Sequence, residues 1–473
     1  MRNALLTAFV ILACSSAPVH AADDNPPPNI VLIVADDLGY GDLGCYGQTR
    51  IETPNIDRLA AEGLKFTDYY AGSCVCAPSR YVLMTGVHTG HGWIRGNSKM
   101  GLRAGDVTVA EVLKLAGYRT AMFGKWGLGQ ESTGGVPTNQ GFDEFYGFLD
   151  QHHAHNYFPA FLIRGADREK LGNVVPGDGD YGDGVATEKN EYAPDLIWAE
   201  GLQFIERAKD GPFFLYLPVT LPHANNQAGK AGMEIPDYGR YATRDWPEPQ
   251  KGLAAMITRL DTDVGQLLEL LKSHDLDQRT IVFFTSDNGP HAEGGNDPEF
   301  FDSNGPLRGR KRDLYEGGVR VPMIARWPGH IAPGTVTGCV AWHGDLMMTL
   351  AGLSRAPRVP PELDSISLVP TLLGHPDQQD EHDWLYWEFY EKGFAQAVRS
   401  GYWKAVRYEK DNTRLELYDL EHDPAEEHNV AADHADFVEE MAGIMQAAHV
   451  PSPDWPQDTS RPQRPVRPTQ PAK

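Results

Sequence analysis

The stretch Asn29-Ile30-Val31-Leu32-Ile33-Val34-Ala35-Asp36-Asp37 decides the fold class. Seven residues of mostly β-branched and aliphatic character with no polar alternation predict a strand covered on both faces, as in a parallel sheet with helices on either side. The run ends in paired carboxylates, and glycines follow at 39, 41, 44 and 47. Acid groups at the carboxyl edge of a parallel sheet stand where open α/β folds place their ligands. A second run, Thr280-Ile281-Val282-Phe283-Phe284-Thr285-Ser286, ends the same way in Asp287-Asn288-Gly289. Asp36, Asp37, Asp287 and Asn288 thus offer oxygen ligands that suit a hard cation such as Ca²⁺ or Mg²⁺ and lack the His and Cys donors that Zn²⁺ prefers.

Between these strands lies Ser73-Cys74-Val75-Cys76-Ala77-Pro78-Ser79-Arg80, continuing through Met84-Thr85-Gly86. Pro78 suits the first position of a helix and Gly86 can stop it. Cys76 is then expected just before a helix N-terminus, where free N–H groups favour an anion, with Arg80 one turn along. Cys76 and Cys74 also admit other readings. Free cysteines are often simply buried, and Cys74 with Arg80 has the Cys-x5-Arg spacing of a thiolate phosphatase loop, although Ser73 replaces the histidine usual before that cysteine.

Cys76-Ala77-Pro78-Ser79-Arg80 with Met84-Thr85-Gly86 resembles the signature of the type I sulfatases, and the resemblance runs from about Asn29 to about Ala432. It implies an alkaline-phosphatase-like α/β fold: a large, mostly parallel mixed sheet flanked by helices, plus a smaller C-terminal antiparallel-sheet subdomain. It implies that Cys76 is oxidised to formylglycine (3-oxoalanine) by a formylglycine-generating enzyme, and that the metal is calcium, held by Asp36, Asp37, Asp287, Asn288 and residue 76. Gly117-Tyr118-Arg119-Thr120-Ala121-Met122-Phe123-Gly124-Lys125-Trp126-Gly127-Leu128 resembles the second sulfatase signature. There Lys125 matches a lysine that contacts formylglycine and sulfate, but Gly127 stands where the family has a histidine. His223, following the buried run Phe213 to Thr220, matches a sulfate-binding histidine, and Lys311 a sulfate-binding lysine. The catalytic set so implied is Cys76, Arg80, Lys125, His223 and Lys311. The hydrated aldehyde would attack sulfur through one hydroxyl, and the second hydroxyl would expel sulfate, a step an ordinary Ser or Cys nucleophile cannot perform.

Two further clusters bear on substrate. His152, His153 and His155 lie in a polar, aromatic loop that suits sugar hydroxyls as well as a metal, and one of them is a candidate replacement for the histidine absent at 127. Arg308-Gly309-Arg310-Lys311-Arg312 is the one basic cluster; Arg310 and Arg312 are expected either to bind further anionic groups on a substrate or to pair with surface acids. The expected substrate is a sulfated sugar or polysaccharide. The alternatives are phosphoester or phosphonate hydrolysis on the same scaffold, or non-catalytic binding of a sulfated glycan.

The rest of the chain frames this site. Residues 1–21 read as a secretory signal: Arg2, an apolar run from Ala4 to Ala13, and Val19-His20-Ala21. A lipoprotein box ending at Cys14 is the lesser alternative, so the protein is expected to be exported, periplasmic or secreted. No stretch is long enough for a transmembrane segment. The net charge of −23 argues against nucleic acid or an anionic membrane as partner. Five cysteines, one of them in the leader, are too few for a disulfide framework, though a single bridge remains open. After a 22–28 linker the expected units are a catalytic domain over 29–357, a C-terminal subdomain over 358–450 and a disordered Pro-rich tail over 451–473. Helices are expected over Pro54 to Glu62 (capped by Thr53), from the Thr108/Glu111 capping box to Gly117, over Pro194 to Ala208, Gln250 to Ser273, and from Asp345, as cap, to Ala351. Residues 164–192 read as an irregular excursion.

Overall fold

The structure, a computed structural model, describes residues 26–177, 182, 184–391, 393–408 and 415–457. The leader with Cys14, and the tail from residue 458, lie outside the described residues. In chain order the strands are β1 (Asn29–Ala35), β2 (Leu64–Phe66), β3 (Tyr69–Tyr70), β4 (Arg119–Lys125), β5 (Glu144–Phe148), β6 (Phe161–Arg164), β7 (Asp167–Lys170) and β8 (Phe213–Pro218). They continue with β9 (Thr280–Ser286), β10 (Met323–Arg326), β11 (Thr335–Thr337), β12 (Ala341–Trp342), β13 (Leu385–Phe389), β14 (Ala395–Ser400), β15 (Trp403–Tyr408) and β16 (Glu416–Asp419).

Ten strands form one mixed sheet in the order β11-β2-β10-β9-β1-β8-β4-β5-β6-β7. Its centre, β9-β1-β8-β4-β5, is parallel throughout, so every strand there ends on the same edge. β10 pairs antiparallel with β9 and β2, and β6 and β7 close the far side as an antiparallel hairpin. Burial explains the unalternating sequence of β1. Val31, Ile33 and Ala35 pack into one core with α4 (Ala193–Ala208), α5 (Glu248–Ser273) and α1 (Pro54–Ala61). Ile30, Leu32 and Val34 pack into a second core with α2 (Cys76–Thr85) and α3 (Val109–Leu115). All seven β1 side chains are buried.

β13 to β16 form a separate antiparallel sheet in that order. One face, with Leu385, Trp387 and Phe389, packs on Tyr70, Cys74, Val75 and Val82; Trp387 Nε1 donates to the Ala71 carbonyl at 2.9 Å. The other face, with Tyr386, Val398 and Leu417, is covered by Met441 and Met445 of the helix Ala435–Ala448. The second sheet therefore backs the chain entering α2.

Several local expectations are corrected. α2 begins at Cys76 rather than after it, with Val75 extended at φ −148° and Pro78 in the third helical position. Gly86 does end it in the left-handed region, at φ 71°. Thr53 caps no helix amide; its hydroxyl donates to Asp57 and accepts the Gly44 N–H. Asp345 is the first residue of its helix, not the cap, and its carboxylate instead accepts the Trp342 and Ile366 N–H groups. The excursion from 164 begins with the β6–β7 hairpin. β2 and β3 are adjacent in the chain but in different sheets, since β3 leaves the large sheet to pair with β12. The start of the tail is packed: Trp455 is buried against Tyr390, and its Nε1 donates to the Trp93 carbonyl at 2.9 Å. Cys45, Cys74, Cys76 and Cys339 are all unbridged. No helix among the described residues is long and apolar enough to cross a membrane.

Candidate active site

Four adjacent parallel strands deliver one residue set to one edge: β1 leads into Asp36 and Asp37, β9 into Asp287 and Asn288, β4 ends in Lys125, and β8 runs on to His223. α2 crosses this edge with its first residue, Cys76, facing the acids. The Cys76 thiol lies 3.4 Å from Asp36 Oδ1 and 3.9 Å from Asp37 Oδ1. A helix N-terminus aimed at this point adds unpaired N–H groups and positive potential.

Each acid has a cation. Lys125 Nζ lies 2.7 Å from Asp36 Oδ2, and Lys311 Nζ 2.7 Å from Asp37 Oδ2. Arg80 grips Asp287 Oδ2 through Nε at 3.0 Å and Nη2 at 2.7 Å, while Nη1 donates to the Lys125 carbonyl at 2.6 Å. Asn288 Nδ2 donates to Asp37 Oδ1 at 2.7 Å. All of these side chains are almost wholly buried. Burial would raise the Asp36 carboxyl, but Lys125, Arg80 and Lys311 outweigh it and hold the group below its usual range. For Asp287, burial and the neighbouring Asp36 win over Arg80 and push it up to about 7. The Cys76 thiol is pushed well up by burial and then by Asp287.

His223 sits beside Lys311, with Nε2 3.0 Å from Nζ, and its Nδ1 donates to the Ala224 carbonyl at 2.7 Å. Burial, followed by Lys311 and Lys125, lowers its pKa. His155 stacks on His223 with centroids 4.6 Å apart and planes at 14°.

The donor set fits a hard cation. Asp36, Asp37, Asp287 and Asn288 converge, and the carbonyl oxygen of the Asn288 amide is buried without a hydrogen-bond partner. An orphaned buried carbonyl beside three crowded carboxylates is an arrangement a bound cation would satisfy.

The expected substrate residues divide. His155 belongs to the cluster through His223. His153 is buried between Phe148 and Phe161, with Nε2 donating to the Phe161 carbonyl at 3.0 Å, so it faces away. His152 is exposed beside Asp150. None of the three fills the space next to Gly127. That space belongs to Gln151: a Cβ at 127, where φ is +74°, would meet its Nε2 at 2.2 Å. Arg310 is exposed, and Arg312 is held by two carboxylates, Glu293 and Glu391. Cys74 lies in the apolar cluster with Tyr70, Val75 and Trp387, which removes it from the acids and weakens the Cys-x5-Arg reading.

Three residues that sequence reasoning missed complete the surroundings. Glu293 approaches Lys311 at 3.5 Å and His223 at 4.0 Å. His291 is buried, its ring stacked 5.9 Å from that of His223. Asn97 Oδ1 accepts the Ala77 N–H at 3.0 Å. The only available signal was proximity, since His291 and Glu293 follow closely on Asn288.

Carboxylates and cations gathered around one thiol at the edge of a parallel sheet suit a metal-assisted hydrolase, and comparison with known proteins gives the family. The family model "Sulfatase" matches residues 28–375, and "N-sulphoglucosamine sulphohydrolase, C-terminal" matches 309–449. Arylsulfatase A of Homo sapiens is 36% identical over 451 residues, covering 85% of this chain and 83% of that protein. N-acetylgalactosamine-6-O-sulfatase of Bacteroides thetaiotaomicron is 32% identical over 496 residues, covering 89% and 93%. The crystal structure of Ps i-CgsB, also solved in complex with k-i-k-neocarrahexaose, superposes with a TM-score of 0.77 at 29% identity, covering 92% of this chain and 96% of that one. The chain belongs to the type I sulfatase family and is a sulfuric ester hydrolase.

Proposed function

We propose that this enzyme hydrolyses sulfate esters on a sulfated sugar or polysaccharide, using a formylglycine made from Cys76 by a formylglycine-generating enzyme, and that it is exported through its 1–21 leader. The observation that carries the reading is the position of Cys76: first residue of α2, 3.4 Å from Asp36, within a ring of buried cations. As a thiol, Cys76 is poorly suited to attack, because burial disfavours its thiolate. The hydrated aldehyde supplies a hydroxyl nucleophile and a second hydroxyl that expels sulfate.

Asp36, Asp37, Asp287 and Asn288 would hold a calcium ion, with residue 76 beside it. When bound, calcium supplies positive charge to the sulfuryl oxygens and to the nucleophile. Arg80 acts by position: its guanidinium is committed to Asp287 and the Lys125 carbonyl, so it fixes a metal-binding carboxylate and the end of β4. Lys125 and Lys311 stay charged among their acids and can turn from Asp36 and Asp37 toward the sulfuryl oxygens as negative charge develops there. With Nδ1 donating to the Ala224 carbonyl, neutral His223 accepts from Lys311 through Nε2 and orients the ammonium, so Lys311 is the group beside it that carries a proton for the leaving oxygen. His155 stacks on one face of the His223 ring and holds it in place. The catalytic domain extends over 29–357, and the C-terminal subdomain follows over 358–450.

Named sulfated-sugar relatives support the substrate class. The test is release of inorganic sulfate against phosphate from 4-nitrophenyl esters and from N-acetylgalactosamine 6-sulfate, with calcium present. Sulfate release that vanishes in Cys76→Ala is expected; phosphate release that persists in that variant would overturn the reading.

A further inference from the structure

From Lys311 outward runs a chain of alternating charges. Glu293 Oε2 lies 3.5 Å from Lys311 Nζ and accepts Asn226 Nδ2 at 3.0 Å; Glu293 Oε1 pairs with Arg312 Nη1. Arg312 Nε donates to Glu391 Oε2 at 3.2 Å. Glu391 Oε1 accepts the Asn97 N–H at 3.3 Å, and Asn97 Oδ1 accepts the Ala77 N–H at 3.0 Å. The circuit thus starts at a cation of the site and returns to the residue after Cys76. It passes through the β13–β14 connection, so the C-terminal sheet contributes to it. Side-chain exposure rises along it, from 3% at Lys311 to 20% at Glu293 and 29% at Arg312. Arg312 is set in place by a left-handed backbone, φ 75°, and by its N–H bond to the Cys74 carbonyl at 2.9 Å. A non-glycine residue there is held by its surroundings.

The floor of the site matches each acid with a cation, but this rim does not. Two carboxylates flank one guanidinium whose Nε and Nη1 donors are already engaged, leaving the trio with one net negative charge. Beside the sulfate-binding floor, then, the rim offers acceptors to hydroxyls and repulsion to anions. We propose that Glu293 and Glu391, bridged by Arg312, are specificity-determining: they select substrates that present hydroxyl groups next to the scissile sulfate and reject those carrying a second sulfate or a carboxylate there. Of the two expectations for Arg312, binding further anionic groups or pairing with acids, this follows the second, and it rests on the sulfate-ester reading of the same site.

The test measures affinity, without turnover, in the calcium-supplemented Cys76→Ser protein. Calorimetry compares N-acetylgalactosamine 6-sulfate with N-acetylgalactosamine 4,6-disulfate. A partly buried pair of like charges about 6 Å apart, at an effective dielectric of about 40, predicts the monosulfate to bind about tenfold tighter. Adding Glu391→Gln is expected to bring the two affinities within about threefold, and adding Arg312→Gln to widen the gap, with thermal melting checking that each variant is folded. Equal affinities, tighter binding of the disulfate, a ratio that Glu391→Gln does not move, or no binding of either sugar overturns the proposal. Sulfate release from 4-nitrophenyl sulfate by the unsubstituted protein reports the reaction separately. If that fails while the affinity order holds, the fault lies with the reaction and not with the rim.

Discussion

Removing the Arg80 guanidinium tests how the buried charges are held. Arg80→Met keeps most of the side chain's volume but leaves Asp287 Oδ2 without donors formerly at 2.7 and 3.0 Å, and leaves the Lys125 carbonyl without one at 2.6 Å. Both Arg80 and Asp287 are about 1% exposed, so water cannot substitute. Deleting one partner of a buried ion pair costs about 3–5 kcal/mol, because the Asp287 carboxyl is left buried without its donors, charged or protonated. A chain of this length unfolds with about 1 kcal/mol/K of entropy, so the melting temperature is expected to fall by about 3–5 °C. Arg80→Lys retains a charge but not the fork, and it is expected to recover less than half of that loss. Sulfate release is expected to drop at least about 100-fold in Arg80→Met, since Asp287 and β4's end both lose their anchor. Calorimetric melting in calcium-free buffer and a sulfate-release assay read the two effects. A melting temperature within 1 °C of the parent would refute the claim that Arg80 holds Asp287.

Two further predictions concern stability away from the site. Lys404 is fully buried between Glu316, at 2.8 Å, and Glu426, at 3.3 Å, so Lys404→Met is expected to cost about 3–5 kcal/mol and Lys404→Met/Glu426→Gln to recover part of it; equal melting of the single and double variants would count against the pairing. His153 is buried, and burial lowers its pKa from 6.5 to about 4. The unfolded histidine takes up its proton near pH 6.5 and the folded one near 4, so stability owed to neutral His153 is complete above pH 6.5 and is lost as pH falls toward 4, by up to about 3 kcal/mol. His153→Leu is expected to melt with a shallower dependence over that window, and an unchanged slope would contradict the assignment.

The parts of the protein written in local pattern were legible in its sequence. β1 and β9 combine unbroken apolar runs with acids at their ends, and parallel pairing then brings Asp36, Asp37, Asp287 and Asn288 together without any side chain having to specify it. The Thr108/Glu111 capping box is present as read, because both partners lie within one turn. What escaped depends on contacts distant in sequence. α2 starts at Cys76 because the C-terminal sheet clamps Cys74 and Val75, more than 300 residues away from Trp387 in the chain. β7, Asp167–Lys170, has no apolar alternation and exists by backbone pairing to β6. The basic run at 308–312 gave no hint of its division. Lys311 turns inward to Asp37, Arg312 is paired with Glu293 and Glu391, and Arg308 stacks on Tyr315 at 3.9 Å and donates to Tyr418 Oη of β16 at 3.0 Å, fastening the C-terminal sheet. Gln151 beside Gly127 follows from the parallel pairing of β4 with β5, which sets residues after Lys125 against those after Phe148.

The proposed chemistry depends on what residue 76 is in the working enzyme. Peptide mass spectrometry across Cys76, on protein co-produced with a formylglycine-generating enzyme and active in sulfate release, reads it directly. An aldehyde at position 76 that reacts with a hydrazine probe is expected, in a fraction that tracks the specific activity from one preparation to the next. An unmodified thiol at 76 in fully active protein would contradict it.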